Sequence, residues 1–175
     1  STEVEIVEPA PIEITASMTE SVSCSGDEDA EISGTYTGGT GELSFSLLGD
    51  FSVTTSELLF ESLGAGSFTV YAQDSNGCSV NSDVIIIDNP NPVFVAVAGG
   101  QNAILDATCS YSEDGVANIL ASGGSGNGVY TYSADGVNFL ETNILNLAVG
   151  TYTFYAMDVN GCVGQSNNEF EVGGP

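Results

Sequence analysis

The chain has 175 residues, 24 of them Asp or Glu and none Lys, Arg or His, for a formal charge of −24 at neutral pH. Nothing in it neutralises phosphate, which excludes nucleic acid and anionic membrane surfaces as partners. With no imidazole or amine to serve as a base, and no Ser or Cys with a basic neighbour, the chain is expected not to be an enzyme.

The elements follow in chain order. Residues 1–8 alternate at Val4 and Ile6 and read as the last strand of a preceding module, with Pro9-Ala10-Pro11 (9–11) as a linker. Another alternating stretch starts at Ile12 and Ile14, then come Cys24 and an acidic turn, Asp27-Glu28-Asp29 with Glu31. Period-2 patterning predicts strands at 30–37, 43–48, 53–60, 67–72 and 80–87. Phe68, Val70 and Ala72 are expected to face inward, and Asn76-Gly77 marks a tight hairpin ahead of Cys78. A second Pro-x-Pro joint, Pro90-Asn91-Pro92, follows Ile85 and Ile87.

Beyond that joint the pattern repeats. Val93, Val95 and Val97 alternate, strands are predicted at 116–122, 128–133, 142–146, 151–156 and 165–172, and Tyr152, Phe154 and Ala156 are expected inside. Cys24 recurs as Cys109 after 85 residues, and Asp74-Ser75-Asn76-Gly77-Cys78 recurs as Asp158-Val159-Asn160-Gly161-Cys162 after 84. Two copies of one module are therefore expected, at 12–90 and 93–175, with 91–92 between them. Both ends read as cut from a longer array, and the longest apolar run, Val84 to Ile87, is far short of a membrane span.

Six or seven short strands in about 80 residues, with no helical stripe, predict an all-β chain of two tandem immunoglobulin-like antiparallel β-sandwich repeats. There is no Trp, so an antibody-style Cys–Trp–Cys core is absent. Modules of this size commonly need a staple. Of the three possible connectivities, the economical one for a repeat is Cys24–Cys78 and Cys109–Cys162, one disulfide per module. Each would close a loop of roughly 55 residues and stabilise by about 4 kcal/mol. It would also join the corner before the second strand to a hairpin turn at one pole. Buried free thiols are the alternative. Zinc is disfavoured by the absence of His and of Cys-x-x-Cys. Persisting disulfides imply an oxidising, extracellular location.

The ordered set Cys, acidic turn, Gly123-Gly124-Ser125-Gly126, Tyr130-Thr131-Tyr132, Leu147-x-x-Gly150-Thr151-Tyr152-Thr153 and Asp158-x-Asn160-Gly161-Cys162 occurs twice, nearly spanning the chain. It resembles the SprB repeat family, modules of very large cell-surface adhesins of gliding Bacteroidota exported by the type IX secretion system. The first copy departs at Leu43-Ser44-Phe45 and at Phe68, both apolar exchanges. The resemblance implies a cell-surface filament and no catalytic residue. Its partners would be neighbouring repeats of the same long chain, other stalks or motility components, and external surfaces or polysaccharide.

Candidate sites are few. Each inferred disulfide would gather carboxylates near one pole of its module, Asp27, Asp29 and Asp74 in the first and Asp114 and Asp158 in the second, where they could hold Ca²⁺. The bland reading is solvated turns capped by their own side chains, since no Asp-x-Asp-x-Asp-Gly loop is present; no cofactor is otherwise expected. No pair among 24 carboxylates is singled out for glycoside hydrolysis. Gly38-Gly39-Thr40-Gly41 and its counterpart lack the Lys of a phosphate loop and read as turns. Tyr71, Tyr111 and Tyr155 are candidates for an adhesive face. Two functions remain: a stiff, protease-resistant stalk, or a module that itself binds a surface polysaccharide, with or without calcium.

Overall fold

A computed structural model describes residues 8–125 and 127–175. The chain forms two compact units. One holds the described residues up to Val22 together with Gly26–Asn89, and the other holds Ser23–Ser25 together with Pro90–Pro175. The expected strand of a preceding module, residues 1–8 with Val4 and Ile6, falls outside the described residues except for Glu8, which is exposed and in no strand.

The first unit is built from β1 (Glu13–Glu20), β2 (Ala30–Thr37), β3 (Leu43–Ser46), β4 (Leu59–Leu63), β5 (Gly66–Phe68), β6 (Tyr71–Asp74), β7 (Ser79–Asn81) and β8 (Ile85–Ile87). The second contains β9 (Phe94–Val97), β10 (Gly115–Ser122), β11 (Tyr130–Ser133), β12 (Ile144–Leu147), β13 (Gly150–Tyr152), β14 (Tyr155–Asp158), β15 (Val163–Gln165) and β16 (Phe170–Val172), with a 3₁₀ turn at Gln101–Ala103. All the ladders are antiparallel. In the first unit the sheets run β1-β2-β4 and β3-β6-β7, with β5-β8 as a separate ladder; the second repeats this as β9-β10-β12, β11-β14-β15 and β13-β16. First, second and fourth strands on one sheet, with third, sixth and seventh on the other, is an immunoglobulin-like sandwich order.

Period-2 residues fill each core. Ile32, Phe45, Val70, Ala72 and Ile87 close the first, and Ala117, Ile119, Phe154, Ala156 and Val172 the second, each at most 2% exposed. Phe68 and Tyr152 face the same way but stay half-buried. Buried Phe45 with Val70 in the first becomes half-buried Tyr132 with buried Phe154 in the second, so a bulky ring reaches each core from a different strand.

The predicted strands 67–72 and 151–156 are each interrupted. Val70 N–H donates to Ser82 Oγ (3.0 Å) while Ser82 N–H donates to Val70 O (2.8 Å). Phe154 and Ser166 repeat the pattern at 3.1 and 2.8 Å. A serine hydroxyl replaces a backbone acceptor, shifts the register and splits the expected strands 80–87 and 165–172 in two. The expected strand 53–60 begins only at Leu59; before it, Thr55 makes an isolated bridge to Phe45.

The intra-repeat disulfides are not formed, and β2 shows why. Cys24 precedes its first residue, Ala30, near the end where Gly26 N–H donates to Asn89 Oδ1 (3.0 Å). Beyond its last residue, Thr37, Gly39 N–H donates to Ala10 O (3.0 Å) and Thr40 N–H to Asp74 Oδ2 (3.0 Å), which places the Cys78 turn at the opposite end. Eight residues of strand span about 26 Å, whereas a disulfide needs Cα atoms within about 7 Å. In the second unit Cys109 precedes β10 and Ser125, beyond its other end, donates its N–H to Asp158 Oδ2 (2.9 Å). Cys24–Cys78 and Cys109–Cys162 are thus both ruled out by strand length. The expectation that these cysteines share a pole is corrected.

Candidate functional site

The two Asp-x-Asn-Gly-Cys turns close the β6–β7 and β14–β15 hairpins by the same bonds. Asp74 Oδ1 accepts the N–H groups of Asn76 and Cys78 (both 2.9 Å), and Oδ2 that of Thr40 (3.0 Å). Asp158 Oδ1 accepts those of Asn160 (3.0 Å) and Cys162 (2.9 Å), and Oδ2 that of Ser125 (2.9 Å). Burial pulls both carboxyls up, but these N–H donors outweigh it and hold each below the ordinary Asp range. Each Asp therefore ties the hairpin turn to the Gly-Gly turn beyond the long strand. Gly124 sits so close that an added Cβ would lie 2.5 Å from Asp158 Oδ2, at a φ of 72° that a side chain resists.

The turns differ in what covers them. Cys162 is bonded to Cys24 with Cα atoms 5.4 Å apart across a sequence separation of 138. The short segment Ser23–Ser25 is thereby part of the second unit. Ser125 Oγ donates to Ser23 O (3.0 Å), Asn160 Nδ2 donates to Ser125 Oγ (2.9 Å), and Cys162 Sγ lies 3.3 Å from Ser23 O. That last approach is a contact, because a bridged sulfur has no proton to donate. Cys162 is 6% exposed, whereas Cys78 and Cys109 are free thiols exposed to solvent.

The calcium candidates do not come together. Asp27 and Asp29 are exposed near the Cys24 end of the first unit and Asp74 lies in the turn at its other end, while Asp158 spends its carboxylate on the N–H groups of Ser125, Asn160 and Cys162. Asp114 accepts from Thr108 N–H (3.0 Å) and Thr108 Oγ1 (2.5 Å) and from Ser112 Oγ, and the hydroxyl bonds first among these lower its pKa to about 2. Among the described residues no three His, Cys, Asp or Glu side chains are grouped to hold a metal. Tyr111 is 99% exposed, but Tyr71 and Tyr155 are half-buried with their rings over Gly49 and Gly136, so they pack turns instead of forming an open face. The glycines at 38–41 and 123–124 serve as left-handed turn residues.

Sequence reasoning missed the part played by Thr40 and Ser125, whose N–H groups donate to each turn's carboxylate. The signal was a hydroxyl residue at the same place in both copies. It also missed Asp135, which accepts from Val137 N–H and Asn138 N–H (both 2.8 Å) and is held well below the ordinary range by Asn138 above all. An open groove recurs beside the third strand of each unit. That of the first, about 420 Å³, is walled by Leu47, Leu48, Val53, Leu59 and Phe60. That of the second, about 280 Å³, carries Asp135, Asn138, Leu140 and Tyr152. Its position repeats but its chemistry does not.

No family model matches the chain, and no curated protein does. Among solved structures it is similar to the C-terminal fragment of intimin in complex with the intimin-binding domain of the translocated intimin receptor (TM-score 0.36, 18% identity, 95% of this chain and 64% of that one). It is similar also to the four N-terminal Ig domains of Dscam1 isoform 6.44 (0.34, 12%, 98% and 48%). A third is SGBP-B of the Bacteroides ovatus mixed-linkage glucan utilization locus in complex with a heptasaccharide (0.26, 12%, 93% and 47%). The chain spans roughly half to two-thirds of these proteins' lengths. At these scores the likenesses carry no argument about function.

Proposed function

We propose that this chain is a structural repeat segment of a very large extracellular adhesin of the SprB kind, a protease-resistant stalk acting in surface adhesion and gliding. The observation that carries the reading is the Cys24–Cys162 bridge, which ties a residue of the first sequence repeat to the turn of the second. A disulfide that crosses from one repeat to the next resists being pulled apart. One that closes a module on itself protects only that module. The bridge also supports an oxidising, extracellular location. The absence of Lys and Arg removes every trypsin-type cleavage site.

Pulling single molecules by their ends tests this. With the bridge intact, load bypasses the residues between Cys24 and Cys162, and unfolding them releases no length. Reduction should add about 480 Å of contour, the reach of 138 residues at about 3.5 Å each. Equal contour lengths with and without reductant would contradict the reading. A second reading, direct binding of a surface polysaccharide, is favoured by one observation, the groove recurring at the same place in both units. Saturable polysaccharide binding that Leu59→Asp abolishes would make the binding module the better account.

A further inference from the structure

The covalent bridge has two halves, and each half occurs a second time. The donating half is Ser23-Cys24-Ser25, a bend and turn ahead of β2 that follows buried Val22. Its counterpart, Thr108-Cys109-Ser110, has the same bend and turn ahead of β10 and follows buried Ala107. The receiving half is the Asp158–Cys162 turn with Ser125 and Asn160. Its counterpart is the Asp74–Cys78 turn with Thr40 and Asn76, where every backbone bond to the carboxylate is repeated within 0.1 Å. Thr40 stands at the position of Ser125 and is likewise a hydroxyl residue; the Ser125 hydroxyl is the one that holds Ser23 O. The two remaining thiols, Cys78 and Cys109, are both solvent-exposed. One is a receiving turn, and the other is a donating segment.

We infer that the Cys78 turn is a receptor for the Thr108–Ser110 segment of a second copy of this chain, and that Cys78 and Cys109 join copies head to tail by the same bridge that Cys24 and Cys162 make. Cys78 and Cys109 belong to different units, so the pair does not close either module on itself. The occupant is set by the occupied twin: a hydroxyl residue, Cys, then Ser, with the carbonyl before the Cys accepting from the turn's hydroxyl. The oxidant is a small disulfide such as oxidised glutathione. The Cys78 thiolate attacks one of its sulfurs and expels one glutathione thiolate; the Cys109 thiolate of the other copy then displaces the second. The protein thiols lose two protons and two electrons in all, and one glutathione disulfide becomes two glutathiones. The inference deepens the stalk reading, extending the bridge from within a chain to between chains. Its failure is separable, since Cys24–Cys162 stands whether or not copies join.

The test uses Cys78→Ser and Cys109→Ser chains, alone and mixed, oxidised with glutathione disulfide and followed by non-reducing electrophoresis. Wild type should give a ladder of oligomers. Each variant alone should stay monomeric, and the mixture should stop at a dimer, at least about tenfold more abundant than in either variant alone. Mass spectrometry should find Cys78 joined to Cys109. Homodimers of single variants forming as readily as the mixed dimer would mean unspecific exposed thiols and overturn the inference, as would a Cys78–Cys109 bond within one monomer. A circular-dichroism scan of both variants, expected to match wild type, shows that a missing ladder is not misfolding.

Discussion

The turns at Asp74 and Asp158 have one backbone and opposite surroundings. Each holds three N–H groups with a carboxylate and ends in cysteine, yet Cys162 is buried under Cys24 while Cys78 faces solvent. The turn is therefore complete without its bridge. Its own hydrogen bonds shape it, and the disulfide adds a tie to a shape already formed. Cys24→Ser or Cys162→Ser should then cost far more than Cys78→Ser. In the chain-entropy treatment, losing closure of a 138-residue loop removes about 5 kcal/mol, while an exposed thiol should change stability by less than about 0.5 kcal/mol. Equilibrium urea unfolding of the three variants measures the gap, and equal losses would break the comparison.

A smaller effect separates two glycines of the bonded turn. Gly124→Ala sets a Cβ against Asp158 Oδ2, whereas at Gly161 (φ 88°) nothing lies within 4 Å. Thermal melts should show Gly124→Ala losing about 2 kcal/mol or more and Gly161→Ala about 1. A reversed order would mean the carboxylate does not sit where it is described.

The smallest effect is in acid. Asp114 carries a pKa lowered to about 2 by its hydroxyl and N–H donors. A carboxyl depressed in the folded state lends stability above its ordinary value near 4, and that contribution fades as pH falls from about 4 to about 2. Asp114→Asn should lessen the fall in melting temperature across that window, with Asp74, Asp135 and Asp158 still contributing to it, and leave the profile above pH 5 parallel to wild type.

Much of this was legible in the chain. Alternation marked Val70, Ala72, Phe154 and Ala156 as inward positions, and doubling of the Asp-x-Asn-Gly-Cys run marked the turns. The breaks at Val70 and Phe154 were not legible, because a serine twelve residues on competes for the N–H and only the folded hairpin brings it there. The cysteine pairing failed for a simpler reason. Repetition favours a bridge inside each copy only if both cysteines lie at one end, and the eight-residue strand after Cys24 carries the chain to the other end before it meets the Asp74 turn.

The central claim is the bridge between repeats, and the most direct measurement of it is a disulfide map of the unreduced protein. Trypsin has no site, so cleavage at Glu and Asp is required. The account predicts the peptide carrying Cys24 linked to the peptide carrying Cys162. Cys24 linked to Cys78, with Cys109 linked to Cys162, would contradict it.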